Sequence, residues 1–298
     1  MTRKPIAFLT TDNLENFVVY DEWIKPPLGE FGWAVVDVSW RSQTVCWDDF
    51  AAVIIRSPWD YHFATEDFLN VIETIERSNT TLLNSAAIVR WNIDKQYLRQ
   101  LEHAGAATVP TLWKRSPQLF DLLNAIEKFE TVEIIVKPTI GAGARDTFRV
   151  TKDSAVGFDT SIYQDRMAML QPFLTSIIHQ GEWSLFYFNG IYSHAVLKIP
   201  KAGDFRVQEE FGSHLEAFQP TAEMFRIAQQ SLAAIPEPTL YARVDLVLLG
   251  GGELAVIELE LIEPSLYFPY DDFSPKRFAA AIDQRVGSAS IERRFFQR

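Results

Sequence analysis

The segment "ARVDLVLLGGGELAVIELELIE", residues 242–263, predicts two antiparallel strands joined by a glycine turn. Two apolar runs flank three consecutive glycines, and this pattern is typical of a β-hairpin. If the turn centres near Gly251, Asp245 on the first strand lies opposite residue 257 or 258 on the second strand. The hairpin therefore brings Asp245 next to the acidic part of the second strand.

The second strand of this hairpin carries an unusual pair of charges. Successive side chains of a strand alternate between its faces, so Glu258 and Glu260 should point to one side, roughly 7 Å apart. The other face would carry the apolar side chains, Ile257, Leu259 and Leu261. Together with Asp245, the glutamates form an oxygen-only patch of the kind that suits Mg²⁺. The alternative is a solvated acidic face on an edge hairpin, which the alternation alone favours.

A second stretch, "IIVKPTIGAGARDTFRV" at residues 134–150, predicts a strand, a glycine loop and another strand. Small residues around Gly141 and Gly143 let backbone N–H groups approach an anion closely, and Lys137 at the strand end can reach the same anion. The stretch is neither a Walker A loop nor a dinucleotide fingerprint, since no helix follows. It is consistent with a phosphate cover and equally with a long hairpin that has a tolerant loop.

Bulk properties exclude several classes of function. The chain has 298 residues, 47% of them hydrophobic, which favours two or three lobes. A net charge of −11 argues against nucleic acid and against a polybasic membrane surface as partners. The single cysteine, Cys46, allows no disulfide within the chain, which is typical of a cytoplasmic protein. The N-terminus does not have the pattern of a signal peptide, and no apolar run approaches the ~18 residues of a membrane span.

Secondary-structure patterns divide the chain into an α/β part and two α+β parts. Strands alternate with helices up to about residue 90, which predicts a parallel sheet. In this part residues 18–32 predict a helix interrupted by Pro26 and Pro27. Beyond it, residues 92–105 predict a helix ended by glycine, and Ser116-Pro117 predicts the start of another helix. Asn189-Gly190 between two apolar runs predicts a second hairpin.

Further cations lie among the predicted aromatic strands. Lys198 ends the strand that follows Asn189-Gly190, while Arg206 and Gln208 occur two residues apart in "GDFRVQEEFG", where an extended chain would place them on one face. In an acidic protein such cations are candidate anion ligands, although each can equally form a surface ion pair with a neighbouring carboxylate. His194 and the other histidines lack the spacing of metal ligands.

Five of these stretches together resemble the ATP-grasp ligases, near the glutathione synthetase branch. They are "VKPTIGAGARDTFRV", "GEWSLFYFNGIYSHAVLKIP", "GDFRVQEEFG", "RVDLVL" and "IELELIEPS", in the order and spacing of that family. The resemblance implies an α/β N-terminal pre-ATP-grasp lobe (1–90) and two α+β lobes that clamp a nucleotide (91–183 and 184–298). It also implies an ATP-dependent enzyme that activates a carboxylate or carbonyl as an acyl-phosphate for attack by an amine-type nucleophile, releasing ADP.

The resemblance also implies roles for individual residues. Lys95 and Lys137 would bind the phosphates of the nucleotide, and the mobile loop over them would contain Gly141, Gly143, Ala144 and Arg145. The hinge beside the adenine would consist of Gln171, Pro172, Phe173 and Leu174. Glu182 would bind the ribose, and the amide of Gln208 would be a further ligand. Lys198 and Arg206 would face the transferred phosphate. Asp245, Glu258 and Glu260 would bind two Mg²⁺ ions.

The chain departs from the family pattern at four places. Glu182-Trp183-Ser184 lacks the basic residue that some relatives carry there. Glu260 stands where the family usually has asparagine, which adds a negative charge to the expected metal site. Gln208 stands where asparagine is common, and Gly212-Ser213 replaces a pair of glycines. The amide of Gln208 is retained, so its assignment as a ligand depends on that chemistry.

A narrower resemblance concerns three stretches: "RSPWDYH" at residues 56–62, "WNIDKQYLRQLEHAG" at residues 91–105 with "VPT" at 109–111, and "ELELIEPSLYF" at residues 258–268. All three are similar to the subgroup that contains a cyclo-ligase closing the D-cycloserine ring from O-ureido-D-serine, an antibiotic-forming reaction. Arg56, at the carboxyl end of its strand, could hold an amino-acid carboxylate. The other expected substrate contacts are Ser57, Trp59, Asp60, Tyr61 and Arg243. The alternative for "RSPWDY" is an irregular turn packed on the second lobe.

Three alternatives stay open on the sequence alone. The chain could join two molecules, close a ring within one, or be a nucleotide-binding module without ligase activity. A kinase-like use of the same fold is a further reading. The partner is expected to be a small molecule, and a homo-oligomer is compatible with the resemblance.

Overall fold

The N-terminal part of the chain forms a parallel sheet, as the alternation of strands and helices predicts. The computed structural model describes residues 3–15 and 17–296. The strands of the first sheet are β1 (Ile6–Thr10), β2 (Val35–Ser39), β3 (Ala52–Ser57) and β4 (Thr81–Leu83), in the order β2-β1-β3-β4. Helices α1 (Lys25–Glu30), α2 (Thr65–Arg77), α3 (Ala86–Asn92) and α4 (Tyr97–His103) accompany it. All three strand pairs are parallel, which confirms the predicted α/β lobe.

The second sheet is antiparallel and includes the glycine loop. Its strands are β5 (Leu112–Arg115), β6 (Glu133–Pro138), β7 (Phe148–Thr151) and β8 (Met167–Pro172), in the order β5-β8-β6-β7. The helices here are α5 (Leu119–Lys128), α6 (Lys152–Ala155) and α7 (Thr175–Gln180). The loop 139–147 connects β6 to β7, so the predicted strand, loop and strand are confirmed.

The third sheet contains both predicted hairpins. Its strands are β9 (Glu182–Phe188), β10 (Ile191–Ile199), β11 (His214–Ala217), β12 (Tyr241–Leu248) and β13 (Leu254–Glu260), in the order β11-β10-β9-β12-β13. Helix α8 (Ala222–Ala233) precedes β12, and α9 (Ser274–Phe296) ends the described chain. Asn189 and Gly190 have φ of 48° and 75°, as a two-residue hairpin turn of primed type requires.

The first and third sheets share an apolar core. Side chains of β1 and β3, such as Phe8 and Ile54, pack in one cluster with Phe186 of β9 and Phe278 of α9. Burial of such side chains stabilises each by about 1.5–3 kcal/mol, so this cluster contributes strongly to holding the two sheets together. None of the helices in the described part of the chain has the length and apolar character that a bilayer crossing requires.

Three helix starts differ from the sequence prediction. The helix predicted for residues 92–105 begins only at Tyr97, as α4, because Asn92 is the last residue of α3. Pro26 and Pro27 do not interrupt a helix but occupy the first turn of α1, where a missing N–H costs nothing because no helical partner exists there. Helix α5 begins at Leu119 and not at Ser116-Pro117. Ser116 has a φ of 47°, and its hydroxyl accepts a hydrogen bond from the Asp165 N–H, so it shapes the preceding turn.

The register of β12 and β13 contains a bulge that changes one side-chain assignment. Asp245 lies opposite Glu258, within the predicted range, but Leu246 lies opposite Val256. Ile257 is therefore the extra residue of a β-bulge. Val256, and not Ile257, shares the core face with Leu259, and the prediction for Ile257 was wrong.

Candidate active site

A cavity of about 490 Å³ opens between the three sheets and collects most of the predicted site residues. The predicted residues that line it are Trp59, Lys95, Lys137, Gly141, Gly143, Ala144, Arg145, Gln171, Pro172, Phe173, Leu174, Glu182, Lys198, Arg206, Gln208, Arg243, Asp245, Glu258 and Glu260. They come from β6, the glycine loop, the end of β8, β9, β10, β12, β13 and connecting segments, which explains why they are far apart in the sequence. The connecting segments contribute Trp59, Lys95, Arg206 and Gln208. The cavity is thus one site with contributions from all three sheets.

Buried cations balance the carboxylates at the floor of the cavity. Lys198 contacts Glu182, and its Nζ lies 3.5 Å from Asp245, while all three side chains are almost fully buried. Arg243 pairs with Asp245 at 2.9 Å and also contacts Glu260. Burial opposes the charge on Lys198, but the pKa of Lys198 is raised because Asp245 and Glu182 outweigh that effect. Such a network costs free energy to bury unless every charge is paired.

Glu260 and Glu258 respond differently to the same surroundings. Burial raises the pKa of Glu260 to about 8; Arg243 opposes this rise, while the charge of Glu258 adds to it. Glu258 is also buried, but Lys95, whose Nζ lies 2.9 Å away, and Lys137 hold the pKa of Glu258 below its usual value. Neighbouring cations therefore compensate less for the burial of Glu260 than for the burial of Glu258.

The two lysines near the glycine loop have separate environments. Lys95 lies just before α4, and its Nζ donates to the Gly141 carbonyl at 2.9 Å, which ties the loop to the cavity floor. Lys137, at the end of β6, also lines the cavity, and burial lowers its pKa. Attraction by Glu258 only partly offsets this burial. An anionic group in the cavity would stabilise the charged form of Lys137.

Arg206 and Gln208 lie in a loop and not on a strand, which differs from the extended segment expected for "GDFRVQEEFG". The Arg206 guanidinium pairs with Asp204 at 2.7 Å and lies 3.7 Å from the centre of the Phe211 ring. The Gln208 Oε1 is buried, and no residue in the described part of the chain forms a hydrogen bond with it. An unpaired buried acceptor in a cavity wall is suited to a ligand donor.

The donor chemistry of the floor suits magnesium, although the three carboxylates do not converge. Within the described residues no three His, Cys, Asp or Glu side chains are arranged to hold a metal. Asp245 and Glu258 do lie directly opposite each other, with Glu260 two residues further along the same strand. Oxygen ligands of this type are those that Mg²⁺ prefers, one or two from the protein and the rest from phosphates and water.

Four of the expected substrate residues lie outside the cavity wall. Arg56 is 1% exposed and pairs with Asp21 at 3.0 Å, so its guanidinium forms an ion pair in the protein interior and does not face the cavity. Ser57 is buried, and its hydroxyl donates to Thr10 Oγ1. Asp60 accepts from the Trp40 indole and pairs with Arg41, while Tyr61 is buried against Phe68. The irregular-turn alternative describes these four positions better, because each side chain has polar partners within the fold. One atom is an exception, since the buried Arg56 Nη1 has no hydrogen-bond partner among the described residues.

Comparison with known proteins agrees with this layout. Residues 6–84 match the family model "D-cycloserine synthetase DcsG, N-terminal domain", and residues 107–262 match "Prokaryotic glutathione synthetase, ATP-grasp domain". The chain is 31% identical over 305 residues to the cycloserine biosynthesis protein DcsG of Streptomyces lavendulae, covering 94% of this chain and 99% of that protein. The chain belongs to the ATP-grasp ligases.

Solved structures and a second relative extend this result. The ATP-grasp fold of the crystal structure of D-cycloserine synthetase DcsG matches with a TM-score of 0.84 and 29% identity, covering 94% of this chain and 99% of that one. The glutathione synthetase of Prochlorococcus marinus is 27% identical over 176 residues, covering 57% of this chain and 53% of the relative. D-alanyl-alanine synthetase A from Vibrio cholerae shares the fold, with a TM-score of 0.68, 14% identity, and coverage of 98% and 99%.

The family membership fixes the reaction class. ATP-grasp ligases use ATP with Mg²⁺, and this ligase is an ADP-forming enzyme that makes carbon–nitrogen bonds. The order of motifs in the sequence identified the same family. That order was informative because residues that line one cavity are distributed over β6, β9, β10, β12 and β13 of this fold.

Sequence reasoning missed several cavity residues in this ATP-grasp ligase, and two groups of them matter for the chemistry of the site. One is aromatic and comes from the N-terminal lobe, with Phe17, His62 and Phe63. The other is mostly polar: Glu210, Glu263, Ser265 and Tyr267. The polar residues after β13 could have been found, because side chains that directly follow a site strand are natural candidates. Phe17 carries no such signal, since only the packing of its ring on Trp59, 5.1 Å away, brings it to the cavity.

Proposed function

We propose that this ligase activates the carboxylate of a small amino-acid-derived substrate and then closes it onto a nitrogen of the same molecule. The observation that carries the proposal is the cavity wall from the N-terminal lobe, made by Phe17, Trp59, His62 and Phe63. These residues belong to the segment that is similar to the N-terminal domain of D-cycloserine synthetase DcsG. Because this wall comes from a segment similar to DcsG, the substrate is expected to resemble that of DcsG, and O-ureido-D-serine is the first candidate.

The polar half of the cavity is assigned to ATP. Lys95, Lys137 and the loop Gly141–Arg145 would contact the phosphates, because they combine two cations with backbone that can approach an anion closely. The adenine would lie beside the edge of β8, at the residues Gln171, Pro172, Phe173 and Leu174. Glu182 would accept from the ribose hydroxyls, and the unpaired Gln208 Oε1 would accept from the nucleotide or the substrate.

Two Mg²⁺ ions are assigned to Asp245, Glu258 and Glu260. When bound, the ions would neutralise the phosphates and the carboxylates together. The chain prepares this position by keeping Asp245 ionised, since Arg243 and Lys198 hold the pKa of Asp245 below its usual value against the effect of burial. Ser184 donates a further hydrogen bond to the same carboxylate and fixes its orientation.

The chain's own contribution to the first chemical step is electrostatic. The substrate carboxylate attacks the γ-phosphorus of ATP, and ADP leaves. Arg206 would stabilise the charge on the transferring phosphoryl group, while Lys198, paired with Glu182 and Asp245, holds the floor rigid. The acyl-phosphate must then be kept from water. The glycine loop supports this, because Arg145 reaches across to Phe63 of the N-terminal lobe, 4.2 Å from the ring centre.

Measurement of ADP release tests the proposal. Purified enzyme with Mg·ATP would be offered O-ureido-D-serine, its L-enantiomer, free amino acids and dipeptides, each with and without an added amine. We expect ADP release with O-ureido-D-serine alone, and a cyclised product by mass spectrometry. Release that needs two partners would instead establish a ligase that joins two molecules.

Two controls make the result decisive. Arg206→Ala should bind Mg·ADP but release ADP from ATP roughly 10²–10³-fold more slowly than the wild type. Binding of Mg·ADP by the wild type, measured as a thermal shift, reports the nucleotide site independently of the substrate. A stable phosphorylated product with no ring and no added amine would mean that the enzyme acts as a kinase.

A further inference from the structure

Glu263 is an acidic side chain of the cavity wall to which neither the nucleotide nor the metal assignment gives a role. It lies three residues beyond Glu260, after β13 has ended, and it lines the cavity together with Ser265. Its carboxylate accepts a hydrogen bond from the hydroxyl of buried Tyr61. Within the described part of the chain Glu263 forms no ion pair, whereas Asp245, Glu258 and Glu260 each pair with Lys or Arg.

The backbone beneath Glu263 is fixed unusually firmly for a segment outside a strand. Three successive carbonyls each accept a hydrogen bond from a long side chain. The Trp59 indole donates to Glu263 O at 2.9 Å, Arg56 Nη2 donates to Pro264 O at 3.2 Å, and Arg243 Nη1 donates to Ser265 O at 3.3 Å. A carboxylate on such a support keeps its place in the cavity, as a group that meets a reacting atom must.

The position of Glu263 relates the two halves of the cavity. Trp59, whose indole supports it, belongs to the wall assigned to the substrate, while Lys95 and Glu258, which act on its charge, belong to the phosphate and metal side. The nitrogen that attacks an acyl-phosphate must lie between these two sides. An acceptor at that junction is therefore near the N–H bond that has to break.

We propose that Glu263 accepts the proton of the attacking nitrogen in the second step of the reaction. The inference rests on the proposed function, because it presupposes an acyl-phosphate and a nitrogen nucleophile. The nitrogen lone pair forms the bond to the acyl carbon, the N–H proton passes to the Glu263 carboxylate, and the bond from the acyl carbon to the phosphate oxygen breaks. Its electron pair leaves with inorganic phosphate, and Glu263 later returns the proton to solvent.

The surroundings of Glu263 suit proton transfer near neutral pH. Burial raises the pKa of Glu263 to about 7; the Tyr61 hydrogen bond, Lys95 and Arg243 oppose this rise, and the charge of Glu258 adds to it. Glu260 and the Tyr241 hydroxyl also interact with the Glu263 carboxylate. A general base is most effective when its pKa lies near the working pH.

Hydroxylamine separates the two chemical steps. It is uncharged at neutral pH and attacks acyl-phosphates without help from a base, giving a hydroxamate that is measured by colour. With O-ureido-D-serine and Mg·ATP, Glu263→Gln should lose roughly 10²–10⁴-fold in ring closure. The same variant should retain ADP release and hydroxamate formation in the presence of hydroxylamine, to within about threefold of the wild type.

The outcomes separate this inference from the proposed function. If Glu263→Gln loses hydroxamate formation as much as ring closure, the residue serves the first step or the fold, and the inference is wrong. If ring closure is unchanged, it is wrong as well. If the wild type releases no ADP with O-ureido-D-serine and Mg·ATP, the proposed function itself fails, and the inference with it.

A pH profile provides a readout that a purely structural role would not change. Tyr61→Phe removes a hydrogen bond that favours the ionised carboxylate, so the pKa of Glu263 should rise and the acid limb of the kcat/KM profile should move to higher pH. Glu263→Asp keeps a carboxylate and should restore part of the ring closure that Glu263→Gln loses. An acid limb that stays in place in Tyr61→Phe would contradict the proposal.

Discussion

Arg206 is a cavity cation whose removal should disturb the fold little. Its side chain is 38% exposed, and it contacts Asp204 and Phe211 of the same loop. We expect Arg206→Ala to lower kcat by roughly 10²–10³-fold, because one group that stabilises transition-state charge is lost. The dissociation constant for Mg·ADP should change less than twofold, as measured by calorimetry.

A matched control exists on the surface of α8. Arg226 pairs with Glu223 in a similar local ion pair, but it lies far from the cavity wall. Arg226→Ala should leave kcat unchanged. An equal loss of turnover and nucleotide affinity in Arg206→Ala would contradict the role given to Arg206.

His194 makes the stability of the protein depend on pH at the residue scale. It is buried against Phe186, and its Nε2 lies 2.9 Å from the Leu266 carbonyl, so this nitrogen must carry the proton. Burial lowers the pKa of His194 from 6.5 to about 4; the Leu266 carbonyl and Asp271 oppose this, and Arg277 adds to it. As the pH falls, His194 binds its proton in the unfolded chain before it does so in the folded protein. The contribution of neutral His194 to the free energy of unfolding is therefore complete above about pH 6.5 and is lost as the pH falls toward 4.

One variant is enough to measure how strongly His194 makes the free energy of unfolding depend on pH. At pH 5, protonation of the unfolded state should lower the free energy of unfolding by about 2 kcal/mol relative to pH 7.5. His194→Gln keeps an N–H donor for Leu266 and removes the titration. The difference in urea unfolding between wild type and variant should therefore shrink toward acid pH, and a constant difference would exclude this effect.

At the scale of elements, the passage from α7 into β9 depends on Gly181. Its φ is +81°, and an added Cβ would lie 2.5 Å from the Lys198 carbonyl of β10. Gly181→Ala should destabilise the protein by about 2 kcal/mol or more, because backbone strain and a backbone clash act together. Thermal unfolding checks this. Gly157→Ala, at an open position without positive φ, should change the melting temperature by less than a degree.

The strands and turns also show which features of the structure the sequence could predict and why it could not predict the others. Both hairpins followed from turn glycines, because the turn residue and the strand period act locally. The bulge at Ile257 did not, since the register of β13 is set by its pairing with β12. Arg56 was expected at the cavity from its place at a strand end, but Asp21, which is distant in the sequence, takes its guanidinium. Local sequence patterns thus predicted which residues line the floor of the cavity. Pairing between residues far apart in the sequence determines which N-terminal residues line its wall, and the sequence alone did not reveal this.

For the whole molecule, nucleotide and metal should stabilise the three lobes together. Mg·ADP at 100 times its dissociation constant should raise the free energy of unfolding by about 2.7 kcal/mol, since it binds a cavity that exists only in the folded state. We expect most of this thermal shift to disappear when EDTA removes Mg²⁺. Titration of Mg²⁺ at saturating ADP should give two ions per chain, and one ion would contradict the assignment of two.

A lysine pair controls for nonspecific charge effects on this shift. Lys137→Met should reduce it strongly, because the residue lines the cavity next to Glu258. Lys152→Met, on the exposed helix α6, should leave it unchanged. Equal shifts in both variants would place the nucleotide elsewhere.

The indole of Trp59 and the guanidinium of Arg56 support the segment 263–265 from outside the sheet that carries it. This arrangement has an evolutionary consequence. A lineage can alter which acid it accepts by exchanging a few N-terminal positions, while the machinery that handles the nucleotide stays intact. The same division offers protein engineers a natural crossover point: grafted first lobes must retain those two donors, and chimaeras that lack them should bind nucleotide yet fail to complete the product.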